Sequence, residues 1–125
     1  MIKKFLLHSN EVIKVSEGLK KQNKTIALCH GVFDLFHLGH LKYFENAKKN
    51  ADYLFVSITS DKFVKKGFNR PFYSQNERIK ILSSLEIIDH IVLSDEETSQ
   101  EVIKLVKPNF YIKGPDYKDN TKDTT

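Results

Sequence analysis

CHGVFDLFHLGHLKYF, residues 29–44, runs from an apolar segment into a glycine, an aspartate and two histidines three positions apart. Upstream, KTIALCHG (24–31) is apolar and β-like and stops at Gly31. Downstream, HLGHLKYFENAKKNAD (37–52) sets Leu38, Leu41, Phe44 and Ala47 at helical spacing. The stretch reads as strand, tight turn and helix, with Asp34, His37, Gly39 and His40 at the junction.

The same alternation continues in both directions. NEVIKVSEGLKKQ (10–22) predicts a helix capped by Asn10, with Val12, Ile13, Val15 and Leu19 sharing a face. YLFVSIT (53–59) is the near-continuous apolar run of a buried parallel strand. SDKFVKKGFNRP (60–71) is polar, basic and broken by Gly67 and Pro71. SQNERIKILSSLE (74–86) opens on a capping serine and carries Ile79, Leu82 and Leu85. HIVL (90–93) is a short strand, and TSQEVIKLVK (98–107) predicts a helix with Thr98 and Glu101 as its capping box. NFYIKG (109–114) is the last strand. Strands and helices in turn predict an α/β domain, a Rossmann-like parallel sheet flanked by helices with right-handed crossovers. Ligands in such sheets sit beyond the carboxyl ends of the strands. The chemistry is therefore expected among HGVFD (30–34), TSDK (59–62) and KGPDY (113–117).

A chain of 125 residues fits a single domain, 1–125. Residues 1–24 read as an N-terminal helical extension and 118–125 as a loose polar tail. The net charge of +4 suits a polyanionic small molecule as well as a weak nucleic-acid surface and decides neither alone. The basic residues are scattered, without the aromatic-interleaved patch of a nucleic-acid surface. No apolar run approaches the ~20 residues of a membrane span. The apolar run in MIKKFLLHSNEV is too short for a secretory leader, and a single cysteine, Cys29, allows no internal disulfide. A reducing cytoplasm is the expected compartment.

Three readings of the histidine pair compete. His37 and His40, one helical turn apart, can share a metal ion with Asp34, although zinc sites generally want a further close ligand. A helix N-terminus attracts anions through its unpaired N–H groups, and Gly39 would let a phosphate approach the backbone. Finally, Asp34 can be a plain helix cap beside surface histidines.

GVFDLFHLGH (31–40) resembles the HxGH signature of the nucleotidyltransferase superfamily that includes the cytidylyltransferases. KGFNRP (66–71), NERIKIL (76–82) and YIKGPDYKD (111–119) are similar to further segments of that superfamily. Its glycerol-3-phosphate cytidylyltransferases and the nucleotidyltransferase domain of ADP-heptose synthases come nearest. The likeness runs from about residue 25 to residue 119. It implies that His37, His40 and Lys66 are catalytic. It also implies nucleotide contacts from Gly31, Val32, Phe33, Asp34, Gly39, Arg70, Arg78, Lys113, Gly114 and Asp116. Lys65 and Lys42 are secondary candidates. Asp34, or Asp116, would meet Mg²⁺ carried by the triphosphate. A superfamily motif of the ISTS or GISTT kind has no counterpart here. That predicts either part of a longer enzyme or a nucleotide-binding module without catalysis.

The implied reaction is transfer of CMP or AMP from CTP or ATP to a phosphorylated sugar or polyol, with release of pyrophosphate. The KGPDY segment points to ATP and the domain size to CTP, with CTP placed first. Phe68, Phe72 and Tyr73 are candidates for the acceptor pocket and equally for the core or a subunit contact, and the resemblance implies a homodimer.

Overall fold

The computed structural model describes residues 4–64, 71–96 and 98–114. Five parallel strands form one sheet in the order β1-β4-β3-β2-β5. They are β1 (Phe5–Leu6), β2 (Ile26–Gly31), β3 (Tyr53–Thr59), β4 (His90–Ser94) and β5 (Phe110–Ile112). The helices are α1 (Ser9–Lys21), α2 (Leu38–Lys48), α3 (Gln75–Ser83) and α4 (Gln100–Val106), with a short 3-10 turn at Asp61–Phe63.

β2 and β3 are central and apolar on both sides, which explains their unbroken hydrophobic runs. On one face Ala27, Cys29, Leu54, Val56 and Ile58 pack under Tyr43, Phe44 and Ala47 of α2 and Leu82 of α3. On the other, Ile26, Leu28, Phe55 and Val92 pack under Val12 and Leu19 of α1 and Val102 and Val106 of α4. These layers exclude water from both faces, at about 1.5–3 kcal/mol for each fully buried large apolar side chain.

Four local expectations change. Residues 5–21 belong to the body of the fold: Phe5 and Leu6 pair with Ile91 and Val92 of β4. α1 starts earlier than expected, capped by His8 with Glu11 rather than by Asn10. The Thr98–Glu101 capping box does not form; Ser99 is the cap of α4, without a side-chain cap bond. Within α2 the buried residues are Tyr43, Phe44 and Ala47, while Leu38 is 63% exposed.

The topology fixes where a ligand can sit. The chain leaves β2 over one face through α2 to β3, then crosses the opposite face through α4 to reach β5 on the other side of β2. The direction of winding therefore reverses between β2 and β5, and the crevice of such a sheet opens at that reversal. Val32–Asp34 follow β2, which ends at Gly31, and Lys113–Gly114 follow β5, at that point.

Candidate active site

Gly31 ends β2, and its lack of a side chain has a local cause. A Cβ there would lie 2.8 Å from Cζ of Phe33 and 3.1 Å from both Cε atoms. The Phe33 ring folds back over Gly31 into the core, where it meets Phe44 edge-on at 5.1 Å and His40 at 5.4 Å. To do so Phe33 takes a left-handed backbone, φ 52°. For a bulky residue that conformation costs on the order of 1–3 kcal/mol and persists only where the surroundings enforce it.

His37 is the N-cap of α2. Its Nδ1 accepts the Gly39 N–H at 3.0 Å, and the Nδ1 of His40 accepts the His37 N–H at 3.1 Å. Together they form a capping box built from imidazoles. The rings stack with centroids 4.0 Å apart, and Phe36 also stacks on His40 at 5.5 Å. An imidazole nitrogen that accepts a hydrogen bond carries no proton. In the neutral form both histidines therefore carry hydrogen on Nε2, each as an oriented donor. The cap and anion readings of the pair thus describe opposite edges of the same rings.

Asp34 and Arg78 sit differently from the expectation. The Asp34 carboxylate accepts the backbone N–H groups of Phe72 at 2.7 Å and Tyr73 at 2.8 Å. It staples the start of the α3 segment to the turn. The described residues contain no group of three or more His, Cys, Asp or Glu placed to hold a metal ion. Cys29 is buried in the core, and burial pushes its thiol up to about 12.

Arg78 is 0% exposed. Its Nε donates to the Tyr73 carbonyl at 3.1 Å, and Nη1 donates to the Val32 carbonyl at 3.0 Å and the Thr59 carbonyl at 2.7 Å. Nη2 pairs with Oδ1 of Asp61 at 2.7 Å. Instead of reaching out to a phosphate, the guanidinium ties the ends of β2 and β3 to α3.

On the β5 side, the Tyr43 hydroxyl of α2 donates to the Ile112 carbonyl. Burial drives that phenol well above the usual tyrosine range. A Cβ on Gly114 would touch the Tyr43 ring at 3.3 Å, so Gly114 lies against α2. Lys113 is exposed beside it, and Lys42 is exposed on α2. Phe72 and Tyr73 are 57% and 39% exposed, which removes the core as their role. Lys65, Lys66, Phe68, Arg70 and Asp116, and the tail 118–125, lie outside the described residues.

One neighbour carried no motif signal. His30, one residue before Gly31, bonds the Ser57 hydroxyl through Nδ1 at 2.7 Å, and burial lowers its pKa to about 4. It stands neutral at the end of β2, on the face opposite α2.

A family model described as cytidylyltransferase-like matches residues 28–124. The chain belongs to the cytidylyltransferase-like family. It is 43% identical over 116 residues to the bifunctional protein HldE of a Nitratiruptor species, covering 91% of this chain and 25% of that protein. With the bifunctional protein HldE of Aliarcobacter butzleri the identity is 42% over 109 residues, 86% of this chain and 23% of that one. The chain thus spans about a quarter of the length of the curated relatives it matches. Among solved structures, a lipopolysaccharide core biosynthesis protein from Thermoplasma volcanium superposes with TM-score 0.65 at 30% identity, over 70% of this chain and 72% of that one. The pantoate-beta-alanine ligase of Francisella tularensis shares the fold, with TM-score 0.61 at 18% identity, over 88% of this chain and 56% of that one. Among the described residues no helix is long and apolar enough to cross a membrane.

Proposed function

We propose that this chain transfers a nucleotidyl group from CTP or ATP to a phosphorylated sugar or polyol and releases pyrophosphate. The observation that carries the reading is the pair of main-chain hydrogen bonds that the two histidine rings accept. Both Nδ1 atoms accept main-chain N–H groups at the start of α2, which sets two Nε2–H donors at the switch point of the sheet. Family membership and the HldE relatives support nucleotidyl transfer in sugar chemistry.

In the proposed reaction an acceptor phosphate oxygen attacks the α-phosphorus in line. The bond to the bridging oxygen breaks, and pyrophosphate leaves with the electron pair. His37 and His40 donate hydrogen bonds to phosphate oxygens whose charge rises as that bond breaks, where fixed donors stabilise most. Lys66 and Arg70 are proposed to neutralise the triphosphate, and Lys113, Gly114 and Asp116 to border the nucleoside. Asp34 is bonded to two amides and the described residues offer no carboxylate cluster. Mg²⁺ is therefore proposed to arrive on the triphosphate, where such ions commonly keep phosphate and water ligands, and no step is assigned to it.

The test is pyrophosphate release with Mg²⁺ and either CTP or ATP, over a panel of sugar and polyol phosphates. Turnover with one donor and one acceptor class is expected. His40→Ala should lower it by about a hundredfold or more, the usual worth of one such donor, with the far-UV spectrum unchanged. Triphosphate binding without turnover, in this chain and in a longer one, would favour a non-catalytic nucleotide-binding module.

A further inference from the structure

Phe33 combines three facts. Its backbone is left-handed, its side chain is buried, and no acceptor among the described residues takes its main-chain N–H. A main-chain N–H without an acceptor is rare in a buried residue, because the missing bond costs free energy unless water or a ligand supplies it. The residues on either side of it are held. The Val32 carbonyl accepts from Nη1 of Arg78, and the Asp34 carboxylate accepts from the amides of Phe72 and Tyr73. Arg78 closes the circuit by donating to the carbonyl of Tyr73.

The Val32 carbonyl and the Phe33 N–H belong to one planar trans peptide, so they point in opposite directions. Whatever holds the carbonyl aims the N–H. We infer that Arg78 is a positioning residue for anion recognition: by holding the Val32 carbonyl on one side of the peptide, it directs the Phe33 N–H outward as a fixed donor for a phosphate oxygen. The inference rests on the triphosphate reading and adds a residue that touches no phosphate itself. It also accounts for a fully buried guanidinium. Its fork reaches carbonyls at the ends of β2 and β3, and Asp61 supplies the counter-charge. A lysine ammonium has no planar fork and fewer donors, so it cannot make the same four bonds at once.

The experiment uses inorganic tripolyphosphate, which has the charge of the donor's tail but neither base nor acceptor chemistry. It is titrated into ¹⁵N-labelled wild type and Arg78→Lys, well below either melting temperature. In wild type the Phe33 amide resonance should move strongly downfield on binding. In Arg78→Lys the affinity should fall by about tenfold to a hundredfold, the scale of a misplaced binding group. The Phe33 shift should disappear, while the amides of Leu28 and Val56 keep their positions. If Arg78→Lys does not fold, Asp61→Asn removes only the counter-charge and should weaken binding with a smaller Phe33 shift. A folded variant that binds as wild type does, with the same Phe33 shift, overturns the role of Arg78 alone. A wild type that does not bind tripolyphosphate overturns this role and the triphosphate reading together.

Discussion

Gly31→Ala tests the turn where its geometry is tightest. The added Cβ would sit 2.8 Å from Cζ of Phe33, so the ring must retreat by 0.6 Å to reach an ordinary 3.4 Å contact. It has little room to do so. The ring is 6% exposed, with Phe44 at 5.1 Å and His40 at 5.4 Å, and its backbone already holds φ 52°. Forcing one methyl group into such a site costs about 1–3 kcal/mol. For a domain of this size that corresponds to a melting temperature lower by roughly 3–12 °C. The displacement also pushes on His40, so tripolyphosphate affinity should fall by about tenfold. Gly18→Ala is the matched control. In the middle of α1 its Cβ meets nothing within 4 Å, and alanine there should stabilise by about 0.5–1 kcal/mol. Thermal melts and calorimetric titration on both variants decide the matter. A Gly31→Ala protein that melts within a degree of wild type and binds equally well would refute the packing argument.

His30 predicts an acid-side loss of stability. Its folded pKa lies near 4 against an ordinary 6.5, so between those values the unfolded chain takes up a proton that the folded one refuses. Stability is therefore full above pH 6.5, falls as the pH drops toward 4, and loses up to about 3 kcal/mol from this group. Urea melts at intervals across that range should show the slope, and His30→Gln should flatten it. Cys29 predicts the opposite kind of inertness. A buried thiol raised to about 12 should resist a thiol reagent at roughly pH 8 in the folded protein and react at once in denaturant. Rapid labelling of the native state would contradict its place in the core.

The strands that place the site were readable because burial on both faces leaves unbroken apolar runs, as in IALC and YLFVSIT. β1 was not, since two residues, Phe5 and Leu6, carry no period and acquire their strand character only from pairing with β4. The cap of α1 is not legible in the order of residue types, because Glu11 reaching back to the His8 amide sets it there rather than at Asn10. The turn at Gly31–Asp34 was legible as a pattern of residue types, but the roles inside it were not. The bonds from the Asp34 carboxylate to the amides of Phe72 and Tyr73 join residues far apart along the chain and leave no mark in its local pattern. Arg78 is the plainest case. A charged residue is expected at the surface, and its burial depends on carbonyls 46 and 19 positions away. No spacing rule connects such positions. The His30–Ser57 pair escaped for the same reason, being a contact across two neighbouring strands.

The two edges of His37 can be separated by substitution. Through Nδ1 it caps α2; through Nε2 it is proposed to bind phosphate. His37→Ala removes both, so it should lose about 1 kcal/mol of stability with the cap and lose turnover with the donor. His37→Asn returns an acceptor to the Gly39 N–H, and asparagine is among the best N-caps. The helix should then be as stable as in wild type or slightly more so. The His40 ring should stay in place, because the bond it accepts comes from the main-chain N–H of residue 37, which the substitution leaves intact. The shorter amide cannot place a donor where the far edge of the imidazole was. Turnover should therefore remain as low in His37→Asn as in His37→Ala while the melting temperature recovers. Recovery of both together would mean that His37 serves the fold alone and that the anion is held by other groups. Recovery of stability without activity would assign the Nε2 edge to the chemistry, and would explain why a histidine occupies a position that serine, threonine, aspartate or asparagine usually fills.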